Sequence, residues 1–279
     1  MSIPRHRVGM SGEGRVSAER TPKEIMSGFF EPKSRLAHMV VKMKDIVGAV
    51  ASVNRIVAGL GIDIRQSMTY SVPEEGHAIY SAFLNFNDSK VTSAKLTESL
   101  RRSEFVLEAR VIEGREGAIF DTVTFPTNWQ GRRVVILAQH AMAKMFEHIH
   151  SMLGSGGAVL LYEQGMEYGR DLAQFFNDQL GKDYILRNYD YGLNLFAATG
   201  WGIAERREGE GDFPNATIRI SHCFECEGRS SAEPACHFVR GFLTGIVGTL
   251  TEYGVRCKET SCGAKGDSYC AFEIRRHGE

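Results

Sequence analysis

The feature that most constrains this chain is the placement of its cysteines. Cys223, Cys226, Cys236, Cys257, Cys262 and Cys270 all fall in the last fifth, and none precedes them. A disulfide framework is usually spread through a small secreted fold, whereas a local cluster in a chain of 279 residues points to metal binding or thiol chemistry in a reducing compartment. A chain of this length also buries a core without covalent staples. With 33 Lys+Arg against 34 Asp+Glu, the formal charge of -1 argues against a nucleic-acid module that works through a basic field. The N-terminal stretch lacks the apolar segment of a signal peptide, and no apolar run is long enough to span a bilayer. The expectation is a cytoplasmic protein with no membrane association and no direct nucleic-acid binding.

Residues 1–33 are rich in Gly, Ser, Arg and Glu, with three prolines and no apolar periodicity, and read as a flexible N-terminal arm that Phe29 and Phe30 can clip to a domain. From residue 34 the pattern sharpens. LAHMVVKMK alternates as a strand does, and IVGAVASVNRIVAGL has helical spacing and stops at Gly61. Two strand-like runs separated by the turn Pro73 to Gly76, a polar helix and a last strand complete a βαββαβ order over residues 34–115. Such a unit lays two helices on one face of a four-stranded antiparallel sheet, the ferredoxin-like arrangement. With Asp45 and Gly48 at the first strand-to-helix turn and Leu60 to Ile64 leading into the second strand, this stretch resembles the ACT family of regulatory domains. The resemblance implies an effector turn at Asp45 and Gly48, where a missing side chain lets a ligand approach helix-terminal N–H groups; equally, Gly48 can simply let the turn close.

Residues 116–279 form the second expected domain. A connector leads to a helix whose apolar stripe is Val134, Leu137, Ala138, Ala141, Met145, Ile149 and Met152, with His140, His148 and His150 off any single ligand face. A Gly-rich break at Gly154 to Gly157 precedes a second helix that stops at Gly181; it lacks the Lys and Ser/Thr of a phosphate loop. Leu193 to Ala204 and Ala216 to Cys223 read as strands, followed by a third helix from Pro234 to Gly254. On that helix Gly241, Gly245 and Gly248 make a smooth face for another backbone. Two short strands close the chain, and the fold class overall is α+β, a mixed α/β architecture.

Cys236, Glu259, Cys262 and Cys270, spaced Cys-x22-Glu-x2-Cys-x7-Cys, supply three thiolates and a carboxylate, the donors a tetrahedral zinc accepts. Four protein ligands leave no open position, so the ion is structural and staples helix to ribbon. The pattern Pro234-Ala235-Cys236, Gly241 and Gly245, Glu259-Thr260-Ser261-Cys262, and Gly266-Asp267 before Cys270 resembles the 4-vinyl reductase domain of hydrocarbon-binding proteins and of phenol- and toluene-type sensory regulators, over residues 120–276. That resemblance implies zinc at the four positions, a mixed α/β homodimer and a buried apolar pocket. The chain departs from the phenol sensors at Ile220 and Ser221, where they carry tryptophan, which argues against phenol itself. The ATPase and DNA-binding domains of those regulators have no counterpart, so direct transcriptional switching is not expected.

The remaining residues leave alternatives open. Phe196, Trp201, His222 and Phe242 lie where they can wall a ligand cavity or serve as core. Cys223 and Cys226 have the spacing of a metal knuckle or a redox pair, and Cys257 can replace Glu259 as a ligand or fill core space. The leading expectation is a non-enzymatic sensor of a small hydrophobic or aromatic molecule, signalling through a regulatory protein partner. No nucleophile–base motif or dinucleotide fingerprint argues for catalysis. The alternatives are a vinyl reductase or accessory protein of tetrapyrrole metabolism, which would need an outside hydride donor, and a cysteine-based redox switch.

Overall fold

The computed structural model describes residues 20–207 and 214–278. The chain divides into two compact units, Met1–Val134 and Val135–Glu279. The first contains β1 (Gly28–Phe30), β2 (Leu36–Lys44), α1 (Ala49–Gly59), β3 (Asp63–Val72), β4 (His77–Asn85), α2 (Ser93–Arg101), β5 (Val106–Glu113), β6 (Ala118–Phe120), β7 (Asn128–Trp129) and β8 (Arg132–Arg133). Its four-stranded sheet has the order β3-β4-β2-β5 and is antiparallel throughout. The period-two pattern sorts the faces. Ala37, Met39, Val41 and Met43 of β2, with Ala78, Tyr80, Ala82 and Leu84 of β4, join Val53 and Val57 of α1 and Leu96 and Leu100 of α2 in one core. Helix α1 ends as its sequence suggests: Gly61 takes φ +69°, and Ile62 N–H reaches back to the Val57 carbonyl at 3.2 Å.

The opposite face of the sheet has its own cover, formed from segments whose sequence reads as arm and connector. Strand β1 pairs antiparallel with β6, and Leu36, Phe83 and Ile119 pack with Phe29. Residues 28–30 are therefore a strand rather than a loose arm, while residues 1–19 of the expected arm lie outside the described residues. Because β6 closes against β1, the boundary between units falls after Val134 and not after residue 115.

Under this cover His38 is fully buried, with Nε2 2.7 Å from Ser81 Oγ and Nδ1 3.7 Å from Asp121 Oδ1. Burial pushes the imidazole below its ordinary value of 6.5, and the Asp121 carboxylate opposes this only in part. The folded unit thus holds a neutral ring that the unfolded chain protonates below 6.5. Stability from this group is complete above that pH and is lost as pH falls through the depressed folded value, by up to about 1.4 kcal/mol per pH unit. Denaturant midpoints measured from pH 8 to pH 5 are expected to fall more steeply for the natural protein than for His38→Gln; equal slopes would refute the assignment.

The second unit contains α3 (Gln139–Leu153), α4 (Ser155–Leu180), α5 (Lys182–Arg187), α6 (Tyr189–Gly192), α7 (Asn194–Thr199), β9 (Ile203–Arg206), β10 (Ala216–Ser221), α8 (His237–Thr251), β11 (Val255–Ser261) and β12 (Cys270–Arg276). Its sheet runs β11-β12-β10-β9, again antiparallel, and α8 lies against β11 and β12. Helices α4 and α8 cross at very close range. A Cβ on Gly165 would stand 2.0 Å from the Phe238 carbonyl oxygen, and one on Gly241 1.9 Å from that of Tyr162. Gly169 and Gly245 meet the opposing backbone in the same way, whereas Gly248 has only ordinary contacts.

Three sequence expectations are corrected here. The Gly-rich stretch does not break the chain beyond Gly154, because α4 starts at Ser155 and Gly157 packs where a Cβ would stand 2.7 Å from the Ile149 carbonyl oxygen of α3. Leu193 to Ala204 is not one strand: Asn194–Thr199 is helical, Gly200 ends it at φ +80°, and only Ile203–Arg206 is extended. The buried positions of α3 are Ala143 and Phe146, while Met145 and Met152 of the expected stripe are 54% and 64% exposed. Among the described residues no helix is long and apolar enough to cross a membrane.

Candidate metal centre and aromatic cluster

Helix α8 begins without a local side-chain cap, since Cys236 occupies the N-cap position and makes no capping bond. Its orphan N–H groups need acceptors, and two distant carboxylates supply them. Glu225, fully buried, accepts from Phe238 N–H at 2.9 Å and Val239 N–H at 2.8 Å. Glu259 Oε2 accepts from Cys236 N–H at 3.0 Å. Burial raises Glu225 to about 8, against the pull of those two backbone donors. The Glu225 clamp fixes the turn from Cys223 to Cys226 against the start of α8. Sequence reasoning misses it, because nothing local marks the helix end that this acid serves.

The β11–β12 hairpin brings the other donors. A register shift between Glu259 and Ser261 re-aims the end of β11. Asp267 Oδ2 then accepts from Cys262 N–H at 2.8 Å and closes the turn. Cys262 Sγ accepts from Ala235 N–H at 3.5 Å, and Cys270 Sγ from Gly263 N–H at 3.3 Å. Two overlapping donor groups result, each with its ligand atoms within 4.8 Å of one another: Cys236, Glu259, Cys262 and Cys270, and Cys223, Cys226, Cys236 and Cys270. All are buried free thiols apart from the acid. The structure thus brings together the four expected ligands and adds Cys223 and Cys226, whose spacing alone fits knuckle and redox pair alike.

The donors suit a thiophilic cation. Zinc–sulfur bonds of about 2.3 Å place tetrahedral sulfurs about 3.8 Å apart. The Sγ separations are 3.8 Å for Cys223–Cys236, 3.7 Å for Cys236–Cys270 and 3.9 Å for Cys236–Cys262, with Cys226–Cys270 shorter at 3.2 Å. Glu259 Oε1 is buried without a hydrogen-bond partner, as expected of an oxygen that serves a cation. With protons alone in the cluster, burial and then the adjacent Cys262 raise Glu259 to about 9. Cys226 is lowered, first by Cys223 and then by the other thiols, whereas Cys236 is pushed up. Cys257 belongs to neither group; it is buried on β11 opposite Ile274, and burial raises it to about 12.

Beside this centre, Trp201 is ringed by aromatics. The rings of Tyr168, Phe196, Phe224, Phe238 and Phe242 lie with centroids 5.0 to 6.0 Å from that of Trp201. Phe196, Trp201 and Phe242 therefore meet, as expected of cavity walls or core. His222 does not join them: it is exposed, at φ +54°, with Nδ1 3.3 Å from Glu227 Oε1. In the first unit Asp45 and Gly48 lie exposed at the turn before α1, with Gly48 at φ +92° and open space where a Cβ would be.

Residues 216–276 match the family model of the 4-vinyl reductase domain. The chain thus carries a domain of that type. The match spans β10, the Glu225 clamp, α8 and the β11–β12 hairpin. Three uncharacterized proteins of Methanocaldococcus jannaschii are 30%, 28% and 24% identical over 105, 116 and 123 residues, or 37%, 39% and 44% of this chain. The matches span 63%, 47% and 66% of those relatives, under two thirds in each case. Among solved structures, the chain is similar to the phenol-responsive sensory domain of the transcription activator PoxR, with 17% identity over 53% of this chain and 79% of that one, at a TM-score of 0.45. A vinyl-4-reductase family protein from Methanocaldococcus jannaschii is 21% identical over 51% of this chain and 83% of its own, at a TM-score of 0.39. The ACT domain from GTP pyrophosphokinase of Chlorobium tepidum is 16% identical over 29% of this chain and all 100% of its own, at a TM-score of 0.24.

Proposed function

We propose that this protein is a non-enzymatic sensor whose 4-vinyl reductase-type domain binds a small hydrophobic or aromatic molecule beside a structural zinc ion. Cys236, Glu259, Cys262 and Cys270 hold the ion, which fills its coordination sphere with protein donors and crosslinks α8 to the β11–β12 hairpin. The observation that carries the reading is the sharing of backbone between metal turn and aromatic cluster. Phe224 follows Cys223 directly, its N–H donates to the Trp201 carbonyl at 2.9 Å, and Phe238 stands two residues from Cys236. A guest that parts these rings therefore pulls on the stapled helix start, a route by which occupancy biases a regulatory partner. The exposed Met145 and Met152 of α3 and Val159 of α4 support a homodimer. The first unit, by its βαββαβ order, fits a ferredoxin-like, ACT-type regulatory domain with Asp45 and Gly48 at its effector turn.

Toluene titrated into the full chain, with Trp129 replaced by Phe, tests the pocket. Trp201 emission is expected to change saturably, and Phe242→Ala to weaken the response on the order of tenfold. A linear, unsaturable response shared by both proteins, with no small molecule retained in native mass spectra, would remove the pocket reading.

A further inference from the structure

One zinc ion in the set just described leaves Cys223 and Cys226 unused. Both are buried, on a turn that Glu225 clamps to the start of α8, with their sulfurs among those of Cys236 and Cys270. We propose that Cys223 and Cys226 complete a second tetrahedral metal position sharing Cys236 and Cys270 with the first, so that the domain holds two thiophilic dications bridged by two thiolates. The inference rests on the first position being a metal site and adds a second to it.

The donor arithmetic supports this. Two tetrahedra that share an edge need six donors, and the two groups together supply six, with Cys236 and Cys270 common to both. The shared edge, Cys236–Cys270, is 3.7 Å long, close to the tetrahedral value of about 3.8 Å set by 2.3 Å metal–sulfur bonds. On the second position's side Cys223 lies 3.8 Å from Cys236, again a tetrahedral edge, while Cys226 lies closer to Cys270, at 3.2 Å; on the first, Cys262 lies 3.9 Å from Cys236. A single ion must choose one group. It then leaves either Cys223 and Cys226, or Glu259 and Cys262, packed against its own ligands with no cation of their own. Two dications pair with every donor. The residual negative charge meets N–H groups already aimed at the cluster, from Ala235 to Cys262, Gly263 to Cys270 and Cys236 to Glu259, and the start of α8 favours anions there.

Metal stoichiometry decides the matter on the full chain. Protein loaded with zinc is expected to retain about two equivalents per chain by elemental analysis, and the Cys223→Ser/Cys226→Ser variant about one. Because that variant can fold poorly, cobalt(II) titration of the natural protein is the second measurement. Charge-transfer absorbance should rise to about two equivalents, with the high-spin electron paramagnetic signal falling during the second as bridging thiolates couple the spins. One equivalent in both proteins would overturn the second position and leave the first standing, and no retained metal would overturn both. One equivalent together with reversible, paired loss of the Cys223 and Cys226 thiols on oxidation would also overturn the proposal and identify a redox pair instead.

Discussion

Cys236→Ser is expected to strip the C-terminal domain of its metal and lower its unfolding temperature by about 10 °C or more, since structural metal binding is also folding free energy. No other change to a cysteine should do as much, except Cys270→Ser, because these two belong to both donor groups. Cys236 also stands at the N-cap of α8, so losing its sulfur removes the metal link between the helix start and the β11–β12 hairpin and leaves only backbone N–H bonds there, Cys236 N–H to Glu259 among them. What remains is a set of buried thiols and an acid with no cation to balance them, which drives each to take a proton or the site to open to water. Cys257→Ser is the control. It buries a hydroxyl in a similar way on β11 but lies in neither group, so metal content should be unchanged and the shift should be that of an ordinary core polar substitution, about 1 to 3 kcal/mol. Calorimetry beside elemental analysis reads both quantities on one sample. A Cys236→Ser protein that keeps its metal, or a chelator-treated natural protein that keeps its unfolding temperature, would remove the structural role.

How much of this is legible in the sequence follows from which signals are local. The alternation of β2 and the 3.6-residue spacing of α1 are statements about neighbours, and both elements lie where the residues place them. The convergence of Cys236, Glu259, Cys262 and Cys270 is legible because few side chains bind metals and the hairpin that folds them together is short. Cys223 and Cys226 look separate because the link that brings them in, Glu225 bonded to Phe238 and Val239, joins a turn to a helix end across the fold. Leu193 to Ala204 misleads for another reason: a short apolar run fits helix and strand alike, and Gly200 decides it. The α3 stripe misleads because Met145 and Met152 fit a buried helical face by period, yet Ala143 and Phe146 are the buried ones. Periodicity reports that a face is apolar and not what covers it.

The glycines show the same limit from the other side, and they yield the second large effect. Gly241→Ala is expected to destabilise the C-terminal domain by about 3 kcal/mol or more, because the added carbon would stand 1.9 Å from the Tyr162 carbonyl oxygen and no side chain can rotate out of the way. The neighbouring change Gly248→Ala should do the opposite. Its carbon would meet only Tyr253 and Val255 at 3.5 and 3.6 Å, ordinary contact distances, and alanine outranks glycine in a helix interior by about 1 kcal/mol. One substitution at two positions of α8 thus separates helix propensity from helix–helix packing by the sign of its effect. The sequence marks Gly241, Gly245 and Gly248 alike, although Gly248 makes no such approach, and does not mark Gly165 and Gly169, which repeat the four-residue spacing on α4 and touch the Phe238 and Phe242 backbones. The pairing has a consequence for the aromatic cluster: pushing α4 off α8 moves the two phenylalanines that face Trp201. Gly241→Ala should therefore shift Trp201 emission as well as the denaturant midpoint, while Gly248→Ala leaves the emission alone. Equal, small effects from both would mean that the two helices do not cross as closely as their glycines require.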